Sequence, residues 1–175
     1  MPQLGMQRED LVGRCLAAFV GAGTIELSLD RLADRVGVSK RMLIHYFGDR
    51  DAIEEQSLGL LEDRLRRQFS PAAFPAGVPP EAVVRALWDQ TTTPEARGVL
   101  RLVLDVSRRA WNGSARAQAF YAEQQRLWLE LLLRSIPNRS DVEDLLQLFQ
   151  GAVLAYLITG DPGPGRHALM RIVSR

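Results

Sequence analysis

At 175 residues, 46% hydrophobic and 25% charged, the chain has room for one sizeable domain or a small module joined to a larger one, and its composition is that of a soluble globular protein. A formal net charge of +1 provides no overall basic field, so a nucleic-acid surface would have to come from local placement of charge. With Cys15 the sole cysteine, an intrachain disulfide and a cysteine-based zinc site are excluded; with His45 and His167 the only histidines, no metal site is expected. Residues 1–10 are polar and lack the apolar run of a signal peptide. The most apolar stretch, 145–158, is shorter than a membrane span and is interrupted by Gln147, Gln150 and Gly151. A soluble, cytoplasmic protein that does not engage a membrane is expected.

Apolar residues recur with helical period almost everywhere, and no alternating strand pattern stands out. Leu11, Val12, Cys15, Leu16 and Phe19 line one face of a first helix that ends near Gly21 and Gly23. Leu29, Leu32, Ala33 and Val36 fall at i, i+3, i+4 and i+7 in a short second helix that Ser28 can cap and Gly37 stops. A third short helix follows Ser39 and ends near Phe47, and Gly48 and Asp49 break and re-cap the chain for a long helix over 50–69. Residues 70–80 include Pro71, Pro75, Gly77, Pro79 and Pro80 and read as the main surface connection. Helices are expected again over 81–90, over 94–111 with Thr93 as cap, and from Ser114 toward Ile136. Ser140, Asp141, Val142 and Glu143 form a capping-box pattern opening a helix to Thr159, and after a Gly/Pro break at 160–165 a last helix covers 167–173. The chain is therefore all-α, with an N-terminal three-helix module over 1–50 and a C-terminal helical bundle over 51–175.

The two short helices around the turn Gly37-Val38-Ser39-Lys40 are too short to stand alone. Leu32, Ala33, Val38, Leu43 and Phe47 supply a shared core with Phe19, the arrangement of a helix-turn-helix whose second helix enters the major groove. On the opposite face stand Lys40, Arg41, Ile44 and His45 at i, i+1, i+4 and i+5. Arg or Lys at the start of such a helix can pair with guanine N7 and O6, and Ile44 can meet a thymine methyl. Tyr46, Ser28, Ser39 and Arg50 stand where hydroxyls, a guanidinium and helix N-termini would grip backbone phosphates.

The run from Gly23 through Thr24 and Ile25 to Leu32 and Ala33 resembles the TetR family of bacterial regulators in its spacing. So do the turn Val36-Gly37-Val38-Ser39-Lys40 and the segment Leu43-Ile44-His45-Tyr46-Phe47-Gly48-Asp49-Arg50. The likeness covers residues 8–58. It implies a homodimer that binds a palindromic operator, usually as a repressor, and is released by a small molecule held in the C-terminal part. Carried over by position, Ser28, Lys40, Arg41, Met42, Ile44, His45, Tyr46 and Arg50 form the DNA-facing set. Thr24 stands where the family commonly has an aromatic residue, Ile44 where tyrosine is frequent, and Arg41 and Met42 replace smaller residues.

In the C-terminal part Trp88, Trp111, Phe120, Tyr121, Trp128 and Phe149 are candidates to line an effector pocket, although aromatics at helical spacing commonly serve as core. Asp105, Glu123, Gln124 and Gln147 could supply its polar ends. The 145–158 helix is apolar nearly all round, which calls for burial on two sides. A dimer interface would give the second, with Gly151, Ala152 and Ala155 permitting close approach and Leu169 and Ile172 of the last helix completing a four-helix contact. No phosphate loop, nucleophile elbow or metal-ligand spacing occurs, so neither an enzyme nor a cofactor is expected. The expected function is sequence-specific transcriptional regulation by population shift: effector binding favours a half-site separation that no longer matches one turn of DNA, about 34 Å. The alternatives are a DNA-binding dimer without an effector, and a helical interaction protein without DNA binding.

Overall fold

The computed structural model describes residues 3–70, 72 and 77–174, and among them helices account for all regular structure, with no strand. In chain order they are α1 (Gln3–Ala22), α2 (Leu29–Val36), α3 (Lys40–Phe47), α4 (Arg50–Gln68), α5 (Pro80–Thr91), α6 (Ala96–Trp111), α7 (Ala115–Leu132), α8 (Arg139–Thr159) and α9 (Gly163–Val173). Most of the surface connection expected at 70–80 lies outside the described residues.

Several helix ends differ from the sequence expectation, each for a local reason. The Thr93 hydroxyl accepts the Ala96 amide at 3.2 Å, so the cap forms but α6 starts at Ala96. At α8 the capping box over 140–143 does not form. Asn138 Oδ1 accepts the Ser140 amide at 3.0 Å, and Glu143 pairs with Arg139 one turn back at 2.8 Å, so the helix opens at Arg139. The last helix begins at Gly163, four residues before His167, because Pro164 suits a first turn and Asp161 Oδ1 accepts the Gly163 amide at 2.8 Å. α7 ends at Leu132, and bonds from Ser135 and Ile136 to the Leu132 carbonyl tighten the chain beyond it.

Backbone contacts divide the chain into two compact units: residues 1–65 with 101–120, and residues 66–100 with 121–175. In the first unit the core includes Leu11, Cys15, Leu16, Phe19, Ile25, Leu32, Leu43, Phe47, Ile53, Leu102 and Val106, all buried. The second unit is built around Trp88, which is fully buried. Its indole N–H donates to the Pro162 carbonyl at 3.1 Å, and Phe149 and Tyr156 meet its ring edge-on at 5.5 and 6.4 Å. Tyr156 donates its hydroxyl to the Thr92 carbonyl at 3.0 Å. α9 crosses this ring at Gly165, where a Cβ would lie 2.5 Å from Trp88.

α8 is long and apolar enough by length and composition to cross a membrane, which is weak evidence by itself. Val142, Leu145, Leu146, Ala152, Val153 and Tyr156 along it belong to the core of the second unit.

Candidate nucleic-acid interface

The surface that reads outward is assembled from two capped eight-residue helices. Ser28, in extended conformation, accepts the Arg31 amide at 3.2 Å and so opens α2; Leu32, Ala33 and Val36 then turn into the core. Gly37 ends the helix in the left-handed region at φ +74°, where a side chain would be strained, and its amide and that of Val38 both reach the Ala33 carbonyl. Arg14 of α1 ties the Val36 carbonyl from the other side. Two residues on, the Ser39 hydroxyl accepts the Met42 amide at 3.1 Å and α3 begins.

α3 is fixed by two side chains, Leu43 at 0% and Phe47 at 6% exposed. Its remaining residues face away. Lys40, Arg41 and His45 are exposed, and Met42 and Ile44 are large apolar side chains left in water. Lys40 makes a surface ion pair with Asp30 at 3.3 Å, the kind that contributes little and yields to a stronger partner. Arg41 makes no ion pair among the described residues. The half-buried Tyr46 meets His45 edge-on at 5.6 Å. Thus Lys40, Arg41, Met42, Ile44 and His45 are the exposed residues of α3, while Ser39 and Ser28 stand at the starts of α3 and of its partner helix.

Arg50 is placed otherwise. Its guanidinium donates to Glu54 Oε1 at 3.0 Å, to the Ile25 carbonyl at 2.9 Å and to the Leu27 carbonyl. The grip on phosphate expected of it is replaced by a grip on its own chain, because Glu54, only 5% exposed, draws in a counter-charge.

A charged stripe on α6, which the sequence reading does not assign to this module, packs against it. Arg101, Asp105, Arg108 and Arg109 recur at i, i+4, i+7 and i+8, and that spacing was the signal available in the sequence. Asp105, considered as a polar end for a ligand, instead accepts the Thr24 hydroxyl at 2.8 Å and the Ile25 amide at 3.1 Å. Burial raises the pKa of its carboxyl, but these two bonds and the Arg108 guanidinium outweigh it and hold the group below the usual carboxylate range.

The six candidate aromatics are divided between the two units. Trp111 and Phe120 are in the first unit, the other four in the second. Trp111 is 88% exposed and so walls no cavity, and Trp88 is enclosed by its own core. Trp128 and Phe149 stack at 6.4 Å with Phe69 against Trp128 at 4.5 Å, and Tyr121 is exposed. A separate groove of about 330 Å³ is lined by Gln125, Arg126, Leu129, Arg139, Glu143 and Leu146. No cluster of His, Cys, Asp and Glu able to hold a metal occurs among the described residues. On α8 and α9, Gly151 and Ala155 are exposed and Ile172 is partly buried. Ala152 and Leu169, expected at a dimer interface, are buried inside the second unit, because their turns of helix face Trp88 and its neighbours. The exposed apolar residues beside Gly151 and Ala155 are instead Leu154 at 48% and Ile158 at 76%.

A capped recognition helix with a basic and apolar outer face, set across a glycine turn on its partner, defines a helix-turn-helix DNA-binding protein. No family model matches the chain. Along nearly its whole length it is similar to the HTH-type transcriptional regulator BetI of Escherichia coli O139:H28, at 28% identity covering 98% of this chain and 95% of that one. A second relative, the HTH-type transcriptional regulator BetI 1 of Chromohalobacter salexigens, is 37% identical over 70 residues, 38% of this chain and 31% of that protein's length. A solved structure described as a TetR-family transcriptional regulator from Rhodococcus sp. superposes with a TM-score of 0.75 over 97% of each chain, at 16% identity. Another so described, from Mesorhizobium loti MAFF303099, gives 0.65 at 12% identity over 98% of this chain and 95% of that one. The fold is that of these TetR-family structures.

Proposed function

We propose that the protein is a homodimeric repressor that reads a palindromic operator through α3 and leaves it when a small molecule binds the C-terminal part. The observation that carries the reading is the outer face of α3, where Arg41 has no ion pair among the described residues and Met42 and Ile44 are exposed beside it. A large apolar side chain held in water next to an unpaired guanidinium suits base edges, Arg41 toward guanine and Ile44 toward a thymine methyl. Ser28 and Ser39 accept the capping amides and keep their hydroxyl protons free to meet phosphate at two helix N-termini.

Dimerisation is supported by α8. Asp144, Gln147, Gly151, Leu154, Ala155 and Ile158 form an exposed stripe at helical spacing, apolar over its second half, with no cover in the single chain. For the effector, Trp128, Phe149 and Tyr121 of the second unit are the aromatic candidates that remain. Transcriptional regulation needs no catalytic group, and none is assigned.

The test is selection of duplexes from random DNA with the full chain, followed by fluorescence anisotropy across a salt series with wild type and Arg41→Ala. The expected outcome is a palindromic consensus, binding that weakens with salt, and a loss of about 1–3 kcal/mol in the variant confined to selected sequences. The selected duplex then serves to screen small molecules for release. A wild-type protein that selects no duplex would remove the reading.

A further inference from the structure

The segment 23–28, between α1 and α2, has no helix of its own to satisfy its backbone, and it carries Ser28, the cap on which α2 starts. Its ends bond to α1 and α2, and the Glu26 amide to the Thr24 hydroxyl. The Thr24 hydroxyl proton, the Ile25 amide and the Ile25 and Leu27 carbonyls are held by α6 and by Arg50, which α6 reaches through Glu54. Asp105 Oδ2 accepts the Thr24 hydroxyl and the Ile25 amide, at 2.8 and 3.1 Å. One turn further along the same face, Arg109 donates to Glu54 Oε2 at 2.8 Å. Glu54 Oε1 in turn accepts Arg50 at 3.0 Å, and Arg50 donates to the Ile25 carbonyl at 2.9 Å and to the Leu27 carbonyl. The peptide groups flanking Ile25 are therefore held from both sides. Both lines of bonds end on α6 four residues apart, so the circuit closes. Arg108 adds Glu26 to it at 2.9 Å.

This is a clamp on the backbone and not a decoration of the surface. Ile25 is fully buried and Leu27 6% exposed, so the loop cannot slide without opening the core. Glu54, 5% exposed between two guanidiniums, cannot lose one of them cheaply. None of these residues lies on the outer face of α3. We propose that Asp105 and Arg109 are positioning residues for DNA recognition: from α6 they set the seat of α2, and through it the pose of α3, without touching DNA. The inference rests on DNA binding by α3.

The test uses the full chain, with the duplex that wild type selects and a random-sequence duplex of equal length. Asp105→Ala and Arg109→Ala should weaken the selected duplex about tenfold or more, leave random-sequence affinity within about threefold, and leave the salt slope unchanged because no phosphate contact is removed. Arg109→Lys should recover most of the loss. Thr24→Val, which removes the hydroxyl's bond to Asp105 and its acceptance of the Glu26 amide without burying a charge, should give a smaller loss in the same direction and covers the case in which the alanine variants fail to fold. Amide exchange at Ile25 should speed up about tenfold or more in Asp105→Ala while Leu43 and Leu102 keep their protection. Folded variants that hold the selected duplex within about twofold of wild type, or that lose selected and random duplexes alike, would overturn the proposal. If wild type selects no duplex, DNA recognition itself fails and this inference goes with it. Wild-type selection with insensitive variants overturns the clamp alone.

Discussion

Arg41 and Arg50 stand nine residues apart with the same guanidinium, one directed outward from α3 and one turned onto the carbonyls of Ile25 and Leu27. Helical periodicity was enough to place Arg41, since Leu43 and Phe47 fix which side of α3 is inside. It could not place Arg50, whose role depends on Glu54 being buried, a tertiary fact that no local pattern carries. Thr24 follows the same logic: its departure from the family's usual aromatic makes sense once Asp105, 81 residues away, is found accepting its hydroxyl. Asp105 yields a pH prediction. Its folded pKa lies below the ordinary 3.8, so the stability it contributes is present above 3.8 and is lost as pH falls through the lower folded value. Asp105→Asn should therefore melt below wild type near pH 6, and the gap should close on acidification beneath 3.8; a gap of constant size would contradict the assignment. Cys15 behaves in the opposite sense. Burial, only partly offset by Arg14, pushes its thiol up to about 11, so at pH 8 it remains protonated and enclosed. A thiol-reactive dye should label it in denaturant and leave the folded protein unlabelled on the minute scale.

At the scale of elements, the helices whose ends are set by a neighbouring side chain were legible. Ser28, Gly37 and Ser39 act within three or four residues of themselves, and the structure uses each where the pattern put it. α8 and α9 were harder, because two caps competed at one end and a proline opened the other. The stripe on α6 escaped because alternating charges at helical spacing look like a solvated face, and only the fold shows what they meet. Trp88 makes a similar point for packing. Its sequence context allows a pocket wall or a core, and the α9 crossing decides for core. Gly165 permits that crossing, and Gly165→Ala would set a methyl 2.5 Å from the ring and 3.1 Å from Ala152 Cβ. Backbone and indole would both have to move, which costs about 1–3 kcal/mol. Thermal unfolding followed by near-ultraviolet circular dichroism should show the loss together with a changed Trp88 environment. An unshifted melt would mean that α9 lies farther from Trp88 than described.

For the whole molecule the informative quantity is what the single chain leaves uncovered. The hydrophobicity of α8 all round called for burial on two sides; the single chain buries one, and the sequence could not say which side each residue takes. Ala152 and Leu169 went to the chain's own core, leaving Leu154 and Ile158 exposed on the other face. Reading a two-fold operator requires two copies of α3 held at a fixed separation, and the α8 stripe is where a second copy would bury apolar surface. Ile158, 76% exposed, adds almost nothing to the monomer, so Ile158→Arg should leave the melting of a dilute single chain nearly unchanged. In a dimer the same change places two guanidiniums at or near the interface without partners, and a buried unpaired charge costs about 3–5 kcal/mol. Sedimentation equilibrium should accordingly show wild type as a dimer at micromolar concentration and the variant as a monomer. The variant's affinity for a full palindrome should fall toward that for a half-site, because the second half-site no longer arrives tethered to the first. A variant that remains dimeric would move the interface off this stripe. A monomeric variant that still binds the palindrome as tightly as wild type would separate DNA recognition from dimerisation altogether.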